Sequence, residues 1–282
     1  MLVSYLYTPA LKLDSLVKNI KEISANMIVV DLEDSIHSKD KELARQKVSA
    51  FDFAPIINKG IKVGVRINSI ANYDGLNDMK LLKSLYEKGN YTLEYIFIPK
   101  VKCKREVEIY RSLFNTLPFM PKLVTFIETV ESVDNADKIA SVSDALCFGQ
   151  ADLVAEMYNP NETFVNYARA RLCIAAAKYD LMAIDTNSFE IEDMKLFKQQ
   201  CITAKSYGFT GKAAIHPNQV AGINEVFSIS NAEIEHYQAS IEAYNKASTG
   251  FVMLEGEVIA PPFITKAKKM LNFYNKMRAK KK

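Results

Sequence analysis

The 282 residues suffice for one large domain or two small ones with a substantial core, and a 49% hydrophobic, 24% charged composition describes a globular chain. The net charge of +3 hides an asymmetry. Five of the 36 basic residues lie in the last seven positions, KMRAKKK, leaving 31 basic against 33 acidic side chains, a balance that argues against nucleic acid as a partner of the body of the fold.

The tail reads as a solvated terminus, with contact to anionic partners as the alternative. No run of 18 apolar residues is present to span a membrane, and MLVSYLYTPALKLDS lacks a basic n-region and a small-residue cleavage site. The expected location is the cytoplasm. Cys103, Cys147, Cys173 and Cys201 are widely separated, which suggests neither a zinc site nor a disulfide framework.

In chain order, short apolar runs alternate with longer amphipathic ones. The runs are SYLYT (4–8), MIVVDL (27–32), KVGVRI (62–67), YIFIP (95–99), LVTFIE (123–128), ALCFG (145–149), LMAID (181–185) and KAAIH (212–216). Helical patterns fall at 39–50, 76–88, 104–114, 131–140, 162–178 and 190–207. The apolar runs are continuous, as parallel strands covered on both faces require. Eight such units predict an α/β fold, a (β/α)8 TIM barrel over residues 1–228. A doubly wound sheet is the rival, but no glycine-rich phosphate loop follows any strand. Two more helical stretches, 231–248 and 264–278, joined by STGFVMLEGEVIAPPF, make a C-terminal helical extension over 229–282.

Barrel chemistry gathers at the C-terminal ends of the strands. There stand Asp31, Glu33 and Asp34, then Arg66 and Asn68, Lys100, Glu128, Asp152, Asp185 and His216. Glu128 and Asp152 suit a hard divalent cation, which takes one or two protein carboxylates and completes its shell with water and substrate oxygens. The alternative is that each caps the helix after it. Arg66 suits a substrate carboxylate or carbonyl, or else a rim ion pair. Glu33 and Asp34 are expected to steer the cation's waters or to hold Arg66. Lys100 either stabilises developing negative charge or neutralises an acidic rim. His216, beside Pro217, reads as structural or cofactor-contacting.

YLYTP, VVDLEDSI…K…AR (29–45), VRIN, IPKV, FIET, FGQADL, YARARL, AID and GFTGKAAIHPNQV occur in the order seen in the HpcH/HpaI aldolase and citrate lyase beta-subunit family. The sequence resembles that family over roughly residues 3–230, and most closely its citrate lyase beta, malyl-coenzyme A lyase and citramalyl-coenzyme A lyase branch. The resemblance implies a TIM barrel assembled as a homotrimer or hexamer, with Mg²⁺ on Glu128 and Asp152 and with Arg66 on the substrate's oxygens. It further implies an acyl thioester of coenzyme A as substrate, with Lys41 near the coenzyme's phosphates. Arg45, Lys100 and Lys212 are candidates for the same task, and an acyl-carrier partner is possible. Two positions depart from the pattern. Val3 stands where the family has an arginine that helps hold coenzyme A. Ala260 stands where many lyases have an aspartate that acts as general acid/base.

The activity expected is therefore cleavage or formation of a carbon–carbon bond in a 3-hydroxy acid, giving a 2-oxo acid and an acyl thioester. The alternatives are an aldolase acting on a free hydroxy-oxo acid without coenzyme A, and a non-catalytic or partner-dependent thioester-binding barrel.

Overall fold

The computed structural model describes residues 2–278; residues 279–282, the end of the basic tail, lie outside it. Eight parallel strands close a barrel in sequence order: β1 (Ser4–Pro9), β2 (Met27–Asp31), β3 (Lys62–Arg66), β4 (Tyr95–Ile98), β5 (Lys122–Ile127), β6 (Ala145–Phe148), β7 (Met182–Asp185) and β8 (Gly211–Ala214). All residues of β2, β4, β6 and β8 are buried, so these strands carry apolar side chains on both faces.

Register decides what meets at the rim. Asp31 of β2 pairs with Arg66 of β3, so their side chains leave the sheet on the same face. Ile127 pairs with Phe148, which brings the next residues, Glu128 and Gly149, side by side. Beneath them the barrel is filled by aromatic rings: Phe97 meets Tyr5 and Tyr7 edge-on, with centroids 6.3 and 5.9 Å apart, and lies 6.4 Å from Phe126.

The helices follow the predicted order with local differences. The helix expected at 76–88 runs Tyr73–Glu87, started by the Asn72 side chain accepting the Gly75 N–H. That expected at 131–140 is two short helices, Val130–Asp134 and Ala136–Ala140. Helices at Leu13–Lys18, Ala54–Ile57, Gln150–Ala155 and Pro217–Phe227 fall outside the sequence patterns. Three of these are too short for a periodicity to declare itself; the fourth starts on a proline, which suits a first helical turn.

The chain divides into two compact units, Val3–Phe227 and one beginning at Ser228. The second contains helices Asn231–Lys246 and Pro261–Arg278 and an antiparallel hairpin, β9 (Val252–Leu254) and β10 (Glu257–Ile259). The hairpin lies within the link STGFVMLEGEVIAPPF. Its two-residue turn has positive φ at Glu255 (49°) and Gly256 (87°), a conformation glycine adopts freely. No described helix is long and apolar enough to cross a membrane.

Candidate active site

Arg66 is held from several sides at the end of β3. Its Nε donates to Asp31 Oδ1 (2.8 Å) and its Nη2 to Asp31 Oδ2 (2.7 Å), while Nη1 lies 2.9 Å from Glu33 and 3.6 Å from Asp34. Its guanidinium carbon stands 5.3 Å from the centre of the Tyr7 ring. Burial alone disfavours the charge, but Asp31 and Glu33 hold Arg66 well above the ordinary arginine value.

Lys100, at the end of β4, faces the same carboxylates. Its ammonium lies 3.2 Å from Glu33, 3.8 Å from Asp34 and 3.7 Å from Asp152. Its backbone sits at φ 54°, a left-handed conformation uncommon outside glycine, and its N–H donates to Glu128 Oε1 at 2.6 Å. Glu128 is 2% exposed. Burial, and then the neighbouring charges of Glu33 and Asp152, push its carboxyl well above the usual range. A side chain at position 149 would overlap the Glu128 carboxylate, so Gly149 is what lets that group sit where it does. Glu33 is raised to about 7, chiefly by burial, with Arg66 and Lys100 pulling it down and Asp34 pushing it up.

The structure thus brings together seven expected residues, Asp31, Glu33, Asp34, Arg66, Lys100, Glu128 and Asp152. Two cations face five carboxylates, an acidic surplus that helps to push the carboxyls of Glu128 and Glu33 upward and that a bound cation would relieve. The donors at Glu128 and Asp152 are hard carboxylate oxygens, and Glu128 Oε2 receives no hydrogen bond among the described residues, so the pair fits Mg²⁺. Among the described residues no group of three or more His, Cys, Asp or Glu forms a complete metal cage, so solvent or substrate oxygens would have to supply the remaining positions.

Other expected residues are placed differently. Lys41 Nζ donates to Leu32 O (2.8 Å), Glu33 O (2.6 Å) and Asn68 Oδ1 (2.7 Å), which uses all its donors. Burial lowers its pKa. Arg45 is taken by Glu42, Asp74 and Asp78 at 2.9, 3.0 and 3.1 Å. The two brace the loop that carries Glu33 and Asp34, through Asn68 and the fully buried Asp78. A phosphate reaching either would have to displace a protein oxygen. His216 is half-buried, and its Nδ1 accepts the Asn218 N–H.

Lys212 does not reach the mouth. It and Asp185 point out of the barrel, pair with each other at 2.5 Å and lie against Arg169 of the helix Glu162–Lys178. The reason is strand parity: Ile184 and Gly211 fill the inward position, so the next residue on each strand faces the helices.

Sequence reading missed Tyr7 and Asp78 as parts of the site, and placed Gly149 at the end of its strand without a role. Asp78 had a signal, since it falls on the buried face Gly75, Asp78, Met79, Leu82 of its helix.

Comparison with known proteins agrees with this geometry. The chain is 28% identical to the (3S)-malyl-CoA thioesterase of Cereibacter sphaeroides, covering 95% of this chain and 93% of the relative. It is 27% identical to the L-malyl-CoA/beta-methylmalyl-CoA lyase of Rhodobacter capsulatus, covering 84% and 83%. Its fold matches that of the Mycobacterium tuberculosis protein CitE, solved with magnesium, acetoacetate and coenzyme A, with TM-score 0.73, 20% identity and coverage of 96% and 97%. The model of the HpcH/HpaI aldolase/citrate lyase family matches residues 4–217, and the chain belongs to that family.

Proposed function

We propose that this protein is a Mg²⁺-dependent carbon–carbon lyase that splits a 3-hydroxy acyl thioester of coenzyme A, of the malyl or citramalyl kind, into a 2-oxo acid and an acyl thioester. What carries the reading is the rim where Arg66, Glu33, Asp34, Glu128, Asp152 and Lys100 converge, in a chain of this family. Glu128 and Asp152 are the residues that would hold the cation. When bound, the cation acts as a Lewis acid that polarises the forming carbonyl and makes the substrate hydroxyl more acidic.

The chain's own side chains supply the rest. Arg66, braced by Asp31 and stacked on Tyr7, offers a fixed positive charge to the oxygen that gathers charge as the carbon–carbon bond breaks. Glu33, lying between Arg66 and Lys100, takes the hydroxyl proton. The electron pair of the broken bond passes to the departing thioester as its enolate, and a proton returned by the Glu33–Asp34 pair completes the acyl thioester. With Ala260 in place of an aspartate, these rim carboxylates carry the proton in both directions.

The thioester is inferred from the relatives' names, since Lys41 and Arg45 are committed to protein oxygens. We place a homotrimeric or hexameric assembly and a cytoplasmic location within the same proposal. The exposed apolar residues Met253 and Val258 of the hairpin, with Phe251 just before it, support the assembly.

A second reading, hydrolysis of the thioester itself, is favoured by the malyl-CoA thioesterase that aligns over 95% of this chain. Product analysis separates the two. With malyl- or citramalyl-coenzyme A and Mg²⁺, a lyase releases acetyl-coenzyme A with glyoxylate or pyruvate. A thioesterase releases free coenzyme A and the intact hydroxy acid, and failure to form either set of products would sink both readings.

A further inference from the structure

Between the outer face of the barrel wall at Lys212 and the helices Glu162–Lys178 and Met194–Tyr207 lies a cleft of about 540 Å³. Arg169 and Lys212 line it, with Gln150, Thr186, Gln200 and Thr203 among its polar groups, and none of its described lining residues is acidic. Behind the wall, both cations share a single carboxylate, that of Asp185. Lys212 takes Asp185 Oδ2 at 2.5 Å and the Thr186 carbonyl at 2.7 Å, whereas Arg169 comes no nearer than 3.8 Å to Asp185 Oδ1.

Arg169 is left poorly compensated. Among the described residues, its one hydrogen bond is from Nη2 to Gln150 Oε1 at 3.0 Å, and neither its buried Nε nor Asp185 Oδ1, the oxygen it faces, has a hydrogen-bond partner. The rings of Phe148 and Tyr207, each with its centre 5.8 Å from the guanidinium carbon, hold the group in place without neutralising it. A largely buried cation with unused donors costs free energy unless an anion meets it. The planar guanidinium matches an oxyanion through two parallel hydrogen bonds. The surrounding hydroxyls and amides can bond its remaining oxygens.

We propose that this cleft is a binding site, separate from the barrel mouth, for a small oxyanion, with Arg169 as its charged anchor and Thr203 and Gln200 on its outer wall. The ligand chemistry is a carboxylate or phosphate group on a compact polar body. This inference does not depend on the lyase reading.

The test is calorimetric titration of the full chain, free of divalent cations and at constant ionic strength, with sodium phosphate and separately with sodium citrate. Parent protein, Arg169→Gln and Thr203→Glu are compared. Thr203 is exposed on its helix, so Thr203→Glu leaves the core untouched and guards against misfolding of the Arg169 variant. The expected result is one saturable site per chain, weakened about tenfold or more by the like charge in Thr203→Glu. A preference for phosphate would identify phosphoryl compounds as the ligand class, and a preference for citrate carboxylic acids. Absence of saturable heat with both salts in the parent overturns the proposal. So does binding that Thr203→Glu leaves unchanged, which would locate the ion at the mouth.

Discussion

Arg66 and Asp31 meet through two parallel hydrogen bonds, Nε to Oδ1 at 2.8 Å and Nη2 to Oδ2 at 2.7 Å, because strand register places them side by side. This fork fixes the guanidinium and leaves Nη1 directed at Glu33 and Asp34. Asp31→Asn should cost on the order of 3 kcal/mol, as removing one member of a buried ion pair does. Equilibrium urea denaturation would measure it.

The same pair predicts an acid limb of stability. Burial pushes Asp31 up, but Arg66 and hydrogen bonds from Ser35 and Glu33 outweigh it and leave the carboxyl below its ordinary value. A depressed folded-state pKa contributes stability that is complete above the unfolded value of about 4 and is lost as pH falls towards the folded one. Denaturation followed between pH 6 and 3 should show this loss in the parent and a shallower one in Asp31→Asn. Equal slopes would deny the pair its role.

Glu128→Gln separates stability from metal binding. The amide oxygen can still accept the Lys100 N–H, and the neutral amide stands in for a carboxyl that burial, Glu33 and Asp152 already disfavour in its charged form, while the charge a cation needs is lost. Without Mg²⁺ the variant should melt at or above the parent's temperature. Its stabilisation by Mg²⁺ should vanish, and its activity should fall by about 10² or more. A lower melting point with retained response to Mg²⁺ would contradict the assignment.

Gly149→Ala tests the close approach rather than the charge. The added carbon would overlap the Glu128 carboxylate, so either the strand end or the carboxylate must shift. About 1–3 kcal/mol of destabilisation is expected. Mg²⁺ affinity should fall in a variant that still gives parent-like circular dichroism.

Lys41→Met asks whether that lysine braces a loop or holds a ligand. It leaves the carbonyls of Leu32 and Glu33 and the Asn68 side chain without a donor, at a cost of about 2 kcal/mol. Because the loop carries Glu33, kcat should fall more than KM for the thioester rises. A pure KM effect with parent stability would instead mark Lys41 as a phosphate contact.

Much of the barrel was legible because strands buried on both faces are written as unbroken apolar runs, as in MIVVD and YIFI. The grouping of carboxylates with Arg66 was legible because chemistry-bearing residues follow those runs. Which way a strand's last side chain points was not. Asp31 and Asp185 both end strands, yet one faces the mouth with Arg66 and the other the helices with Lys212. The difference is one residue of register, set by packing across strands rather than by local sequence. Lys41 and Arg45 carried charge suited to phosphate, and only the placement of Asn68, Asp74 and Asp78 reveals that their donors are already used. The hairpin β9–β10 escaped because its strands have only three residues each and are largely exposed, too short for a strand pattern to declare itself, although Gly256 marked the turn.

The most direct measurement is calorimetric titration of Mg²⁺ in the presence of pyruvate, glyoxylate or oxaloacetate, on the parent and on Asp152→Ala. Metal-dependent binding of one of these oxo acids by the parent, lost in the variant, is what a lyase with its cation on Glu128 and Asp152 predicts. A folded parent that takes up neither cation nor oxo acid, or a variant that binds both as the parent does, would contradict it.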